Sequence, residues 1–159
     1  MADDQWPGLI EPAEHLALQL TRGGLQRMPA RVLAVLLFSP TPTITAGEVA
    51  EVLSASPGTI STTIRVLERS GLVERVPVPG SRREHYRFPD DGWVRLMSSQ
   101  NEVLGSMADA ARIALDRVDA DTAPGRRLGA MARFYDRLRF ELPALLRQWE
   151  AEERAPDPS

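Results

Sequence analysis

The sequence contains no cysteine and no lysine, and it has only two histidines. The absence of cysteine excludes disulfide bonds, thiolate metal sites and a cysteine nucleophile. The longest apolar run, Val32 to Phe38, is far shorter than the roughly 20 residues that a membrane-spanning helix needs. The acidic N-terminal residues do not resemble a secretory signal. We therefore expect a cytoplasmic protein without a membrane partner, a metal ion or another cofactor.

Catalytic constellations are also missing from the sequence. His15 and His85 are predicted on different elements, no glycine-rich phosphate loop is present, and the acidic residues show no paired inward placement. General acid–base or nucleophilic chemistry needs such groups within reach of one another. We therefore predict that the protein is not an enzyme.

Positive charge is concentrated in the middle of the chain, although the formal net charge is −3. Between Ser56 and Phe88 there are six arginines and three glutamates, whereas acidic residues gather near both ends. Such a local basic patch says more about nucleic-acid binding than the net charge does. Arginine suits bidentate contacts with phosphate and guanine, but a chain-wide absence of lysine is more simply explained by the base composition of the genome.

A helix, a short turn and a second helix are predicted between Thr45 and Gly71. Thr45 and Glu48 have the spacing of a capping box, in which each side chain satisfies a backbone N–H of the other residue. Ser54-Ala55 forms the turn. Ser56-Pro57 begins the second helix, with serine as N-cap and proline at the first helical position.

The second of these helices has a buried and an outward face. Ile60, Ile64 and Leu67 form the buried stripe. The outward residues are Gly58, Thr59, Ser61, Thr62, Arg65 and Arg69. Hydroxyl groups can bond phosphates or base edges, threonine methyls can touch thymine, and a helix N-terminus favours phosphate. For the helix pair alone, a solvated surface helix is an equally good interpretation.

A β-hairpin is predicted next, with strands over 72–76 and 83–88. Its tip, Gly80-Ser81-Arg82-Arg83, is cationic and suits a phosphate or minor-groove contact. A double arginine in a turn is usually only solvated, but here it directly follows a candidate recognition helix. His85 is interpreted as a DNA-facing or solvated residue.

Two long helices are predicted after Pro89, over about 91–119 and 126–153, with a kink at Pro143. The last helix spaces large apolar residues three and four apart, and one small domain cannot cover them all. Such a stripe is more often core or interface than a ligand site. We therefore assign to a dimer interface the residues Met131, Phe134, Leu138, Leu142, Leu145 and Trp149.

The stretch from Arg31 to Phe88 resembles the winged helix-turn-helix of MarR-type regulators. It is most similar to the GbsR-like branch, with which it shares "S-x-G-[ST]-[IV]-S", "L-E-R-x-G-L-V" and "V-P-G-x-R-R-x-x-Y". Ser54 departs from the pattern, because the turn commonly holds glycine there. The turn can therefore differ slightly in geometry from that of the family. The resemblance implies a dimer built from the terminal helices, to which we add Leu16 and Leu20, and one recognition helix per DNA half-site.

These observations predict a mainly α fold, a winged helix-turn-helix with flanking long dimerisation helices. The expected limits are 1–24 for an arm and helix joining the dimerisation region, 25–90 for the DNA-binding domain, 91–154 for dimerisation helices and 155–159 for a frayed tail. The candidate DNA-binding residues are Thr45, Ser56, Pro57, Gly58, Thr59, Ser61, Thr62, Arg65, Arg69, Arg82 and Arg83.

The expected function is transcriptional regulation, as a repressor that binds a pseudo-palindromic operator on duplex DNA as a homodimer. The resemblance implies an effector pocket between the wing domain and the dimer helices. Tyr86, Trp93 and Met97 are candidates for binding a hydrophobic small molecule there, although plain core packing explains them as well. The alternative is a winged helix that binds another protein or RNA.

Overall fold

The computed structural model describes Trp6 and residues 8–153, and it is mainly helical with one small sheet. The helices are α1 (Ile10–Arg22), α2 (Arg27–Phe38), α3 (Ala46–Leu53), α4 (Pro57–Arg69), α5 (Gly92–Leu115) and α6 (Ala123–Glu153). The strands are β1 (Ile44–Thr45), β2 (Glu74–Val76) and β3 (His85–Arg87). The predicted fold class, a mainly α winged helix, is confirmed.

The chain divides into two compact units, the first ending at Gly92 and the second beginning at Trp93. Helix α1 belongs to the first unit, where it packs on α2. The domain limits given by the sequence stay a prediction. The predicted frayed tail, residues 155–159, lies outside the described residues.

The core of the first unit is built around α2. This helix is apolar nearly all round and buries most of its side chains, as its sequence predicts. Alanines at the contact between α1 and α2 are buried and allow the two helices to approach closely: Ala13, Ala17, Ala30 and Ala34. At the edge of this contact Arg31 Nη2 lies 2.5 Å from Glu14 Oε1.

Helices α3 and α4 begin as the sequence predicts. Thr45 and Glu48 form the complete capping box of α3, and the Ser56 hydroxyl caps α4 with Pro57 in its first turn. Between them Ser54 has a φ of 49° and lies in the left-handed region that normally favours glycine. The turn therefore holds a serine in a conformation that is unfavourable for an L-residue with a side chain.

The sheet has the strand order β1-β3-β2 and is antiparallel throughout. Strand β1 pairs Ile44 with Tyr86 and was not expected, because two residues beside a helix cap give no alternation to detect. β2 and β3 are shorter than the predicted strands. The loop between them contains a turn in which Ser81 N–H donates to Val78 O at 3.1 Å and Gly80 has a φ of 80°. A proline followed by a glycine of positive φ suits a type II turn.

The second unit consists of α5, α6 and their connection. Small residues lie buried in it, among them Ala108 and Ala111 of α5 and Ala132 of α6. Arg112 donates to Asp136 across the two helices. Pro143 lies inside α6, which continues on both sides of it. Within the described residues, no helix is both long and apolar enough to cross a membrane.

Candidate nucleic-acid interface

Helix α4 presents one polar face to solvent. Ile60, Ile64 and Leu67 are buried, as the stripe predicts. Ser61 is half-buried, and the remaining residues that the sequence placed outward are exposed: Gly58, Thr59, Thr62, Arg65 and Arg69. The helix therefore offers hydroxyl groups, an open glycine and two guanidinium groups on one continuous surface.

The sequence analysis did not predict the burial of Thr63 or the exposure of Val66 on α4. Thr63 is buried and its hydroxyl donates to Thr59 O at 2.8 Å, so it satisfies its own polar group inside the helix. Val66 is 41% exposed, at the edge of the outward face. The signal for Thr63 was available, because at 100° per residue position 63 lies only about 40° round the helix from the buried Leu67.

The polar groups of α4 are already engaged with one another. The Ser56 hydroxyl accepts from Thr59 N–H at 3.1 Å and lies 2.7 Å from Thr59 Oγ1. Arg65 donates from Nε to Ser61 O and from Nη2 to Ser61 Oγ, both at 3.3 Å. The guanidinium group of Arg65 is thus held along the helix surface rather than extended away from it.

Thr45 does not contribute an available hydroxyl to this face, which corrects its assignment as a DNA contact. The residue is 6% exposed, and its hydroxyl donates to Glu48 Oε2 at 2.6 Å while accepting from Glu48 N–H at 3.3 Å. Burial raises the pKa of Glu48, but hydrogen bonds from Thr45 and the nearby charges of His85 and Arg83 outweigh it and lower the pKa below its usual value. Thr45 is a helix cap.

The wing consists of β2, β3 and the loop 77–84 between them. Arg82 and Arg83 follow the turn and are exposed, as the sequence predicts. Ser81 Oγ accepts from Arg83 N–H at 3.1 Å, which ties the backbone of the two arginines to the turn. The wing therefore carries two adjacent cationic side chains on a loop whose backbone is restrained by hydrogen bonds.

Ion pairs neutralise the base of the wing but not its tip. Arg75 Nη1 lies 2.6 Å from Glu84 Oε1, and Arg87 Nε lies 2.5 Å from Glu74 Oε1. The arginines of this central region that form no salt bridge within the described residues are Arg65, Arg69, Arg82 and Arg83. Within this central region, the arginines without a salt bridge therefore lie on α4 and the wing loop.

His85 is not simply solvated, which corrects one of its two interpretations from the sequence; the other, that it faces DNA, stays a prediction. It is half-buried, with Nε2 2.9 Å from Ser81 Oγ and Nδ1 3.3 Å from Thr43 Oγ1. Both ring nitrogens are thus engaged with hydroxyl groups of the protein. Sequence alternation could place His85 on a face of β3 but could not reveal its contact with Thr43, because β1 was not predicted.

The candidate effector residues are divided between the two units. Tyr86 is buried in the first unit, and its hydroxyl donates to Glu84 Oε2 at 2.6 Å. Burial, the hydrogen bond to Glu84 and the charge of Glu84 raise the pKa of Tyr86 to about 12. Trp93 and Met97 begin the second unit and are exposed. Among the described residues, no cluster of three or more His, Asp or Glu side chains could hold a metal ion.

The candidate dimer residues differ in exposure. Leu16 and Leu20 are half-buried against the alanines of α1 and α2. Met131 and Leu142 of α6 are half-buried. The rest are exposed, and we call them the α6 stripe: Phe134, Leu138, Leu145 and Trp149.

Comparisons with known proteins agree with this geometry. A MarR family model matches residues 23–84, and a model described as MmpR5-like MarR family transcriptional regulator matches residues 91–152. The chain is 29% identical over 126 residues to the HTH-type transcriptional regulator MmpR5 of Mycobacterium tuberculosis (strain ATCC 25618 / H37Rv), covering 79% of this chain and 76% of that protein.

Among solved structures, the crystal structure of a transcriptional regulator matches with a TM-score of 0.70 and 26% identity. The match covers 91% of this chain and 99% of that one. Two family models thus cover successive parts of the chain, and a solved regulator shares the fold over nearly its whole length. The chain is similar to MarR-type regulators in both of these parts, and it is a DNA-binding transcriptional regulator with a winged helix fold.

Proposed function

We propose that the protein is a repressor that binds a pseudo-palindromic operator as a homodimer, with α4 in the major groove and the wing loop on the flanking backbone. The observation that carries this proposal is the placement of four arginines without salt bridges on α4 and the wing loop, within the described residues. Because Glu74 and Glu84 of the wing are paired with other arginines, these four guanidinium groups have no ion pair in the described residues that would compete with phosphates or base edges.

Helix α4 is proposed to read sequence. Its N-terminal half carries Gly58, Thr59 and Thr62, which are exposed and short enough for close approach to base edges. Recognition helices of helix-turn-helix proteins contact bases through this half. Arg65 is bonded to Ser61 in the free protein and would have to exchange these weak exposed bonds for DNA contacts.

The wing loop is proposed to contribute affinity rather than sequence preference. Arg82 and Arg83 are exposed on a loop that follows a tight turn. Arginines directed at phosphates release counterions whatever the base sequence, so their contribution weakens with salt. Sequence preference therefore tests the role of α4, and the salt dependence of affinity tests the role of the wing loop.

The α6 stripe is proposed to form the dimer interface together with other exposed residues of the second unit. At 100° per residue its four side chains lie within about 60° of one another, and roughly 150° from the direction of Ala132 and Asp136. Because Asp136 pairs with Arg112 of α5, the stripe faces away from the internal contact of the two helices. Phe134 and Leu145 are 59% and 62% exposed, so an apolar partner surface would remove much nonpolar area from water.

The proposal has three further parts. The protein represses transcription, it belongs to the GbsR-like branch, and a hydrophobic small molecule releases it from DNA. Repression follows physically if the bound dimer covers promoter DNA that polymerase needs. The motif around Val78 to Tyr86 supports the GbsR-like branch. The effector rests on the resemblance and on exposed Trp93 and Met97, and it is tested by thermal shift against a panel of apolar and amphipathic compounds.

Selection of binding sites from a random duplex library, followed by footprinting and mass measurement of the complex, tests the proposal. We expect an inverted repeat with half-sites about one helical turn apart and two protomers per site. A single unrepeated half-site bound by one protomer would overturn the homodimer. Enrichment of no duplex, with retention of RNA or a protein instead, would overturn operator binding by this winged helix.

A further inference from the structure

We propose that His85 is a positioning residue for the DNA-binding wing, because it fixes the loop that carries Arg83 to the body of the sheet. This inference rests on the proposed function in one respect, namely that Arg83 contacts DNA. His85 acts through Arg83 and makes no contact of its own with DNA.

The imidazole connects two segments that are far apart in sequence. Its Nε2 lies 2.9 Å from Ser81 Oγ in the wing loop, and its Nδ1 lies 3.3 Å from Thr43 Oγ1 just before β1. The pairing of Ile44 with Tyr86 and of Thr45 with His85 holds β1 against β3. The ring is therefore attached to the sheet on one side and to the loop on the other.

Ser81 passes this restraint on to the arginine. Its Oγ accepts from Arg83 N–H at 3.1 Å, so the same oxygen serves both His85 and the backbone of Arg83. With hydrogen on Nδ1, the ring donates to Thr43 Oγ1 and accepts from the Ser81 hydroxyl, which still accepts from Arg83 N–H. All four polar groups are then satisfied by one network.

The wing loop has few other restraints near its arginines. The turn bond from Ser81 N–H to Val78 O is local to the loop, and the ion pair of Arg75 with Glu84 lies at its base. Arg82 and Arg83 form no side-chain bond within the described residues. Loss of the His85 bond would leave Ser81 held only by bonds within the loop itself, and DNA binding would then have to order the loop against the sheet.

DNA affinity of five single variants and one double variant, measured with the full chain on an operator duplex, tests the role. We expect His85→Ala and Ser81→Ala each to weaken binding about fivefold, the effect of one hydrogen bond. His85→Gln, whose side-chain amide can still reach Ser81, should recover most of this loss. His15→Ala, which changes the other and exposed histidine on α1, should leave affinity unchanged.

A coupling measurement separates positioning from a general structural effect. In an Arg83→Ala background, His85→Ala should cause no further loss of affinity, because the residue acts through Arg83. If His85→Ala still weakens binding fivefold there, the positioning role is overturned while the wing contact stands. If Arg83→Ala itself does not weaken binding, the proposed wing contact fails, and the role of His85 fails with it. Equal thermal unfolding midpoints of His85→Gln and the unmodified protein are also expected.

Discussion

Arg75 and Glu84 face each other across the base of the wing, with Nη1 of the arginine 2.6 Å from Oε1 of the glutamate. Glu84 also accepts the hydroxyl hydrogen of buried Tyr86, so its carboxylate is held at the base of the loop by two partners. The carboxylate nearest to Arg83 in sequence is therefore already occupied. This pairing separates a neutral wing base from a cationic wing tip.

The wing tip should supply affinity without sequence preference. We expect the double variant Arg82→Ala, Arg83→Ala to weaken binding to every duplex by a similar factor. Because each lost phosphate contact lowers the salt slope by about 0.9, the plot of log K against log salt should become markedly shallower. Fluorescence anisotropy titrations at several salt concentrations measure both quantities.

Arg22→Ala is the matched control for the loss of positive charge, since Arg22 is exposed at the end of α1, remote in sequence from the wing. Its binding curve and salt slope should equal those of the unmodified protein. A double variant at the wing with an unchanged salt slope would refute phosphate contact by these arginines.

Two adjacent threonines on α4 should behave differently. Thr62 is exposed and Thr63 is buried, with its hydroxyl donating to Thr59 O. We expect Thr62→Ala to change the preference between duplexes that differ at one base pair by about fivefold, with unfolding unaffected. Thr63→Ala should lower the free energy of unfolding by about 1 kcal/mol and leave the preference intact. Competition binding and urea denaturation distinguish the two, and the reverse pattern would refute the orientation of α4.

The fold of the first unit could largely be predicted from local patterns. The capping box at Thr45, the cap at Ser56 and the buried stripe of α4 depend on residues close in sequence, and each is present in the structure. Strand β1 and the contact of His85 with Thr43 depend on pairing across about forty residues. Because two-residue strands carry no periodic signal, this part of the wing could not be foreseen.

The turn between α3 and α4 stores a small strain that glycine should relieve. Ser54 has a φ of 49°, whereas glycine adopts this region without a steric penalty. A left-handed serine costs about 1–2 kcal/mol, partly offset by the greater flexibility of glycine in the unfolded chain. We expect Ser54→Gly to raise the free energy of unfolding by about 0.5–1 kcal/mol in urea denaturation.

Ser70→Gly is the control, and we expect it to lower the free energy of unfolding where Ser54→Gly raises it. Ser70 has a φ of −85°, and its hydroxyl donates to Leu67 O at 2.9 Å. Glycine there removes a hydrogen bond and relieves nothing, so the variant should be less stable by about 1 kcal/mol. Destabilisation of both variants by the same amount would contradict the strain at Ser54.

Protonation of Glu48 should weaken the start of α3. Its pKa in the folded protein lies below the ordinary value of 4.5, so its stabilising contribution is complete above that value and is lost as the pH falls through the folded pKa. We expect the free energy of unfolding to fall less steeply below about pH 4.5 in Glu48→Gln than in the unmodified protein. Glu51→Gln, at an exposed position of the same helix, should follow the unmodified protein. Parallel pH curves for Glu48→Gln and the unmodified protein would exclude this contribution.

The α6 stripe should govern association of the chain. We expect Phe134→Asp to convert a dimer to a monomer in sedimentation experiments, because it places a charge in the proposed apolar interface. Phe140→Asp is the matched control. Phe140 is even more exposed, at 72%, but lies about 150° round the helix from the stripe. Dissociation caused by Phe140→Asp alone would place the interface on another face of α6.

The division of α6 into an internal face and the stripe could be predicted only in part. Spacing alone grouped Met131, Phe134, Leu138, Leu142, Leu145 and Trp149 as one apolar surface, and all of these except Met131 and Leu142 are exposed in the structure. The internal face of α6 was not predictable, since it includes the buried Ala132 and the pair Arg112–Asp136, neither of which stands out in an apolar pattern. Small residues at a helix contact give a weak hydrophobic pattern.

The most direct test of the account is the salt dependence of binding to duplex DNA from upstream of the protein's own gene. A dimer that places Arg82 and Arg83 of both protomers on phosphates makes at least four such contacts, which predicts a log–log slope of about −4 or steeper. The same duplex should be preferred to a scrambled one at every salt concentration. Binding that is independent of salt, or equal for the two duplexes, would contradict operator recognition by α4 and the wing.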